Sequence, residues 1–153
     1  MAERLTTGEI CTRSVTIAYG QTSLVEAAQL MRRHHVGCVL VVAETARLRK
    51  VVGILTDRDI VTAVIASNLD LHKLCVEDVM VTDLVTARAE DSLIDLMHTM
   101  RDKGVRRVPV VGPHSELVGI ATLDDVLVIL AEELNLLVAA MTSEARREQQ
   151  LRS

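Results

Sequence analysis

Shifted by 69 residues, the chain matches itself: residues 9–42 fall on 78–111 without a gap. Ser23-Leu24 meets Ser92-Leu93, Met31-Arg32 meets Met100-Arg101, Val36 meets Val105, Val39 meets Val108, and Val41-Val42 meets Val110-Val111. Past the next loop the offset drops to 66, so that Val52-Gly53-Ile54 meets Val118-Gly119-Ile120, Thr56 meets Thr122 and Asp59 meets Asp125. A repeat of this length is one supersecondary unit used twice, and its change of offset belongs in a surface loop, where extra length costs little.

Periodicity gives the unit its shape. Leu24, Ala27, Ala28 and Met31 have the spacing of a buried helical stripe, repeated by Leu93, Leu96, Met97 and Met100. Ser23 with Glu26 and Ser92 with Asp95 mark the helix starts. The β-branched runs 36–42 and 51–55, then 105–111 and 117–121, read as buried strands. Their connectors, 43–50 and 112–115, predict hairpins. With a short strand near 15–18 or 84–87 and a second helix from Thr56 or Thr122, each copy becomes β-α-β-β-α. Half of such an α/β (α+β) unit cannot cover its own sheet, so the copies are expected to pack about an approximate two-fold axis with two equivalent clefts. The expected divisions are a first repeat at 8–67, a linker at 68–75, a second repeat at 76–135 and a helical extension at 136–153.

That extension continues a stripe of Val126, Leu127, Leu130, Leu134, Leu137, Val138 and Met141 before turning charged at Glu144, Arg146, Arg147 and Glu148. A long C-terminal helix is predicted. Leaving its stripe in water costs ~25 cal/mol per Å², so it packs on another chain or folds back on its own.

Composition narrows the functions. Of the 153 residues 49% are hydrophobic, yet Tyr19 is the sole aromatic, so the core is aliphatic and stacking platforms for nucleic-acid bases are missing. A net charge of −4 also opposes phosphate-backbone binding, and no nucleic-acid partner is expected. The first residues are polar without a secretory pattern, and no uninterrupted apolar run approaches the ~18 residues of a membrane span. A soluble, cytoplasmic protein with no membrane partner is therefore expected. Cys11, Cys38 and Cys75 form no C-x-x-C and read as small buried apolar residues. His34, His35, His72, His98 and His114 lack metal-ligand spacing, and no Walker loop, G-x-G-x-x-G or nucleophile triad is present. Neither a metal site nor catalytic residues are expected.

One pattern does carry chemistry. Thr56 with Asp59, and Thr122 with Asp125, stand where a buried strand turns into a helix, a place with free backbone N–H groups and a positive dipole end that welcomes an anion. The same pairs serve equally as helix caps worth ~0.5–2 kcal/mol each.

The stretches Gly53-Ile54-Leu55-Thr56-Asp57-Arg58-Asp59-Ile60 and Gly119-Ile120-Ala121-Thr122-Leu123-Asp124-Asp125-Val126 resemble the G-h-h-T-x-x-D-h signature of the cystathionine-beta-synthase domain. Gly104-Val105-Arg106-Arg107-Val108-Pro109-Val110-Val111 is similar to the strand that precedes it, and Asp78-Val79-Met80 to the lead-in of a repeat. The resemblance covers about residues 8–135 and is to a tandem CBS pair, or Bateman module. It implies a non-catalytic regulator that senses an adenosine-containing ligand such as AMP, ADP or ATP, without a tightly bound cofactor, and controls an unknown partner protein.

By that resemblance Asp59 and Asp125 accept hydrogen bonds from ribose hydroxyls, and Thr56 and Thr122 lie near ribose and phosphate. The backbone of Val39, Leu40 and Val41, and of Val108, Pro109 and Val110, meets the adenine. Arg58 corresponds to Asp124 in the second copy, so the first cleft is expected to hold a phosphate more tightly unless Arg106 or Arg107 compensates. Pro109, where the first copy has Leu40, is read either as a ligand contact or as a sheet-edge proline. A homodimer is expected, because CBS pairs commonly form two-fold discs. The alternative function is a structural dimerisation or interaction module with vestigial clefts, favoured by Asp124 and by the missing proline at Leu40.

Overall fold

The computed structural model describes residues 5–153. A short helix α1 (Thr7–Ile10) precedes the first unit: β1 (Ile17–Ala18), α2 (Leu24–His34), β2 (Cys38–Thr45), β3 (Leu48–Thr56) and α3 (Asp57–Asp59), which widens into a π-turn over Ile60–Ile65. After two single 3₁₀ turns, Leu71–Lys73 and Val76–Asp78, the second unit follows: β4 (Ala87–Arg88), α4 (Leu93–Lys103), β5 (Arg107–Val111), β6 (Leu117–Thr122) and α5 (Leu123–Arg152). Each unit builds a three-stranded sheet in the order given, its first pair parallel and its second antiparallel. The fold is the mixed α/β pair of repeats that the self-match predicts.

The segment leading into each unit belongs to the other unit's sheet. Thr12 exchanges two backbone hydrogen bonds of 2.9 Å with Ile120 in β6, and Val81 exchanges bonds of 2.9 and 3.0 Å with Ile54 in β3. The Thr7 N–H donates to the Asp91 carbonyl at 2.8 Å, and its counterpart Val76 donates to Thr22 at 2.8 Å. Cores follow the same exchange. Leu24, Ala27, Met31, Val39, Val41, Leu55 and Val64 are closed by Val76, Val79 and Met80 from the second lead-in. Leu96, Met100, Val108, Val110, Ala121 and Val126 are closed by Ile10 and Cys11 from the first.

Those crossings explain the signature glycines. A methyl group on Gly119 would overlap the Thr12 carbonyl oxygen and come within 2.8 Å of the Cys11 Sγ; on Gly53 it would lie 2.6 Å from the Met80 Sδ and 3.3 Å from the Val81 carbonyl oxygen. Real side-chain carbons do not pack at such separations.

Three expectations need correction. The connector 43–50 is mostly strand: β2 and β3 run on as a two-stranded ribbon to a turn at Ala46-Arg47, tied by Arg49 to Glu44 at 3.0 Å and by the Tyr19 hydroxyl to Glu44 at 2.8 Å. Both faces of that ribbon are solvated, so it lacks the alternation that betrays a strand. Pro109 is not at a sheet edge, because β5 is the middle strand. In the first unit the Leu40 N–H donates to the Thr16 carbonyl at 3.1 Å; Pro109 has no N–H to make the matching bond, and β4 pairs with β5 only from Ala87 opposite Val110, one residue later, so the proline shortens the parallel ladder by that one bond. Finally, α5 is one helix long and apolar enough to cross a membrane by length and composition. The uninterrupted-run reading misses it because Glu132 and Glu133 break the run.

Candidate functional site

Both Thr-x-x-Asp steps sit at a strand-to-helix junction and are built alike. Thr56 ends β3 in extended backbone, its Oγ1 accepting from the Asp59 N–H at 3.1 Å while the Asp59 Oδ2 accepts from the Thr56 N–H at 3.0 Å. Thr122 and Asp125 repeat this at 3.2 and 3.0 Å. Each pair is a complete capping box, satisfying two orphan donors of the helix start. The second oxygen of each carboxylate takes no hydrogen bond among the described residues.

Equivalent bonds fix each junction to the start of the middle strand. The Asp57 N–H donates to the Gly37 carbonyl at 2.9 Å, and the Leu123 N–H to the Arg106 carbonyl at 2.8 Å. Alternation then sorts the strand residues. Val39 and Val41, like Val108 and Val110, enter their own cores, so Leu40 and Pro109, both buried, point from the opposite sheet faces. The four valine side chains are thus consumed by packing, and only backbone can be offered from those positions.

Charge gathers at the junctions. A methyl group on Gly37 would lie 3.3 Å from the Asp57 Oδ2 and 3.5 Å from an Arg107 guanidinium nitrogen, so the second unit's arginine reaches the first unit's helix start. Arg106 lies 3.9 Å from Asp124, both exposed, and together with Arg107, Thr122 and Leu123 they line a cavity of about 350 Å³. Arg58 is exposed, and its N–H donates to the Asp57 Oδ1 at 2.8 Å. Asp57 escaped the sequence reading: each helix start carries two carboxylates, Asp57 with Asp59 and Asp124 with Asp125, so Arg58 against Asp124 is not the whole charge difference. Cys38 pairs with Thr56 across the ladder, and burial pushes its thiol pKa up, an effect the nearby Arg107 opposes and Asp57 reinforces.

A further cavity of about 410 Å³ flanks the first unit, lined by Ser14, Val15, Thr16, His34 and Val36 among others. None of these is among the ligand-binding residues expected from the sequence. Thr16 bonds to Leu40 two residues along β2 from Cys38, so this cavity and the Thr56 junction share one end of that strand. Two apolar grooves, of about 420 and 380 Å³, lie instead between the helices of each unit.

Two sheets completed by each other's lead-ins, with a capped Thr-x-x-Asp helix start in each, define a tandem pair of one small α/β domain. The chain belongs to the CBS domain family, whose sequence profile matches residues 8–66 and 76–132. It is 32% identical over 120 residues to the uncharacterised protein MK0525 of Methanopyrus kandleri, covering 78% of this chain and 60% of that protein's length. Hypoxic response protein 1 of Mycobacterium tuberculosis is 34% identical over 121 residues, covering 79% of this chain and 82% of the relative. The crystal structure of that protein with two coordinated zinc ions superposes with a TM-score of 0.69 and 33% identity, over 80% of this chain and 96% of that one. Among the described residues here, no three His, Cys, Asp or Glu side chains converge to hold such an ion. The CBS domain pair of protein MJ0100, in complex with 5-methylthioadenosine and S-adenosylmethionine, superposes with a TM-score of 0.73 and 26% identity, over 85% of this chain and 98% of that one.

Proposed function

We propose that the chain is a non-catalytic, cytoplasmic regulatory module that binds an adenosine-containing ligand of the AMP, ADP or ATP kind at the junctions between its repeats and thereby modulates a partner protein. The observation that carries this is the pair of carboxylates, Asp59 and Asp125, each held by its cap through one oxygen with the other open, at helix starts where arginines gather, Arg107 near Asp57 at the first and Arg106 beside Asp124 at the second. A ribose offers two adjacent hydroxyl donors to such an oxygen. Arg58, Arg106 and Arg107 supply the charge a phosphate needs, and Thr56 and Thr122 stand beside it. The backbone of residues 39–41 and 108–110 is where the adenine edge would meet the protein, with Leu40 and Pro109 as its apolar floor. The adenosyl ligands in the MJ0100 pair support the ligand class. A ligand placed between the units acts on a partner only through unequal affinity for two arrangements of them, and the module works as a homodimer.

The test is a thermal-shift panel of AMP, ADP, ATP, adenosine, S-adenosylmethionine and NAD. At a hundred times the dissociation constant, binding adds ~2.7 kcal/mol of stability, and Asp59→Asn or Asp125→Asn should abolish the shift at the junction each serves. A second reading, a structural interaction module with vestigial clefts, draws on the completeness of the two capping boxes and on Arg106 lying beside Asp124. No shift with any of the six compounds would favour it.

A further inference from the structure

We infer that the apolar stripe of α5 is the seam of a two-stranded coiled coil made with a second copy of this chain. The inference rests on the homodimer reading above and narrows it to one surface; it does not depend on any nucleotide. Leu127, Leu130, Leu134, Leu137 and Met141 recur at alternating steps of three and four, the heptad spacing in which a helix presents one continuous seam to a partner helix. Leu130 is 38% exposed and the other four are 54 to 71% exposed. The 30-residue helix spans about 45 Å, and Val126 is its sole fully buried residue. An isolated helix is held by packing of its apolar face more than by propensity, so a face this long calls for a cover.

Three features select a second copy as that cover. The seam is self-complementary, because an identical stripe matches it layer by layer, and Ala131, Ala140 and Ala145 beside it let a second helix approach closely. The charged pair Glu132-Glu133 stands in the middle of the apolar stretch, where a bilayer strongly penalises a charged group, whereas a two-helix seam leaves both carboxylates in water. The stripe also does not end at the body: Leu127 and Leu130 line the groove of about 420 Å³ that they share with Met97, Met100 and Val105, so a partner helix extends its contact onto the second repeat. Pairing the seam and groove removes on the order of 1,000 Å² from water, the size at which specific interfaces begin.

The test is sedimentation equilibrium of the full chain and of two variants, with circular dichroism to verify helix content. Leu134→Glu/Leu137→Glu places charges on the seam at exposed positions and should raise the dimer dissociation constant at least 100-fold. Leu136→Glu adds the same charge at an equally exposed position off the seam and should leave the dimer intact. A double variant that stays dimeric, or a Leu136→Glu chain that dissociates as readily, overturns the seam while leaving the homodimer standing. A monomeric wild type overturns both. Flotation of the wild type with phosphatidylcholine vesicles, lost in the double variant, would assign the stripe to a membrane and overturn the seam as well.

Discussion

The Thr12 carbonyl oxygen occupies the space that a β-carbon on Gly119 would need, although the two residues belong to different repeats. The reciprocal contact of Gly53 is softer, because the nearest atom is the Met80 Sδ at 2.6 Å and the Val81 carbonyl is at 3.3 Å. A thioether can swing aside while a strand backbone cannot. Gly119→Ala should therefore destabilise by about 1–3 kcal/mol and Gly53→Ala by distinctly less, read from urea midpoints at constant slope. Equal losses would mean that the crossing segments adapt equally.

Helices α2 and α4 end at matched positions in left-handed backbone, with His35 at φ 53° in one and Gly104 at φ 64° in the other. A side chain in that region costs about 1 kcal/mol or more, and glycine escapes the cost. His35→Gly is expected to raise stability by about 0.5–1 kcal/mol, and Gly104→Ala to lower it by about 1 kcal/mol. The measurement is the same denaturation series, and a destabilised His35→Gly would show that the imidazole makes a contact worth more than its strain.

Thr7 is fully buried and its hydroxyl has no hydrogen-bond partner among the described residues. Its counterpart 69 residues on is Val76, equally buried and of nearly the same shape. An unsatisfied buried hydroxyl costs about 1–3 kcal/mol, so Thr7→Val should stabilise by about 1–2 kcal/mol. Calorimetric melting of the two proteins decides it, and a lower melting temperature for the variant would reveal an ordered water on the hydroxyl.

Arg107 and Cys38 offer a direct probe of the first junction. Titration calorimetry should show Arg107→Ala binding AMP about tenfold more weakly, a loss of ~1.4 kcal/mol, with adenosine little changed, and Arg58→Ala should act in the same direction. Burial holds the Cys38 thiol above its ordinary pKa, so alkylation of this cysteine should lag behind that of a free thiol until the pH exceeds the usual thiol range. Saturating AMP should slow it further. Unchanged labelling with ligand bound would place the nucleotide elsewhere.

Much of this architecture is legible in the chain because a repeat compares the sequence with itself. The helical stripes at Leu24 and Leu93, the hairpin strands and the capped Thr56 and Thr122 all follow from spacing and residue type. The exchange of lead-ins does not, because backbone bonds such as those between Thr12 and Ile120 leave no side-chain pattern. Its trace is the signature glycines, which stand inside the predicted strands without a visible reason until the crossing segment is seen. The extended ribbon around Glu44 and Arg49 was hidden for a related reason, since a strand with water on both faces has no apolar alternation. At the candidate site, Asp57 went unnoticed because its relation to Arg107 joins two repeats rather than two neighbours in sequence.

Severing the chain near residue 70 would leave each fragment with an uncovered interior and a stray strap whose place is on the other fragment. Co-expressed pieces should find each other, and a single piece could close its own wound only by clasping a twin, arms crossed. The duplicated chain can thus be understood as a symmetric pair of half-size molecules made permanent by a tether.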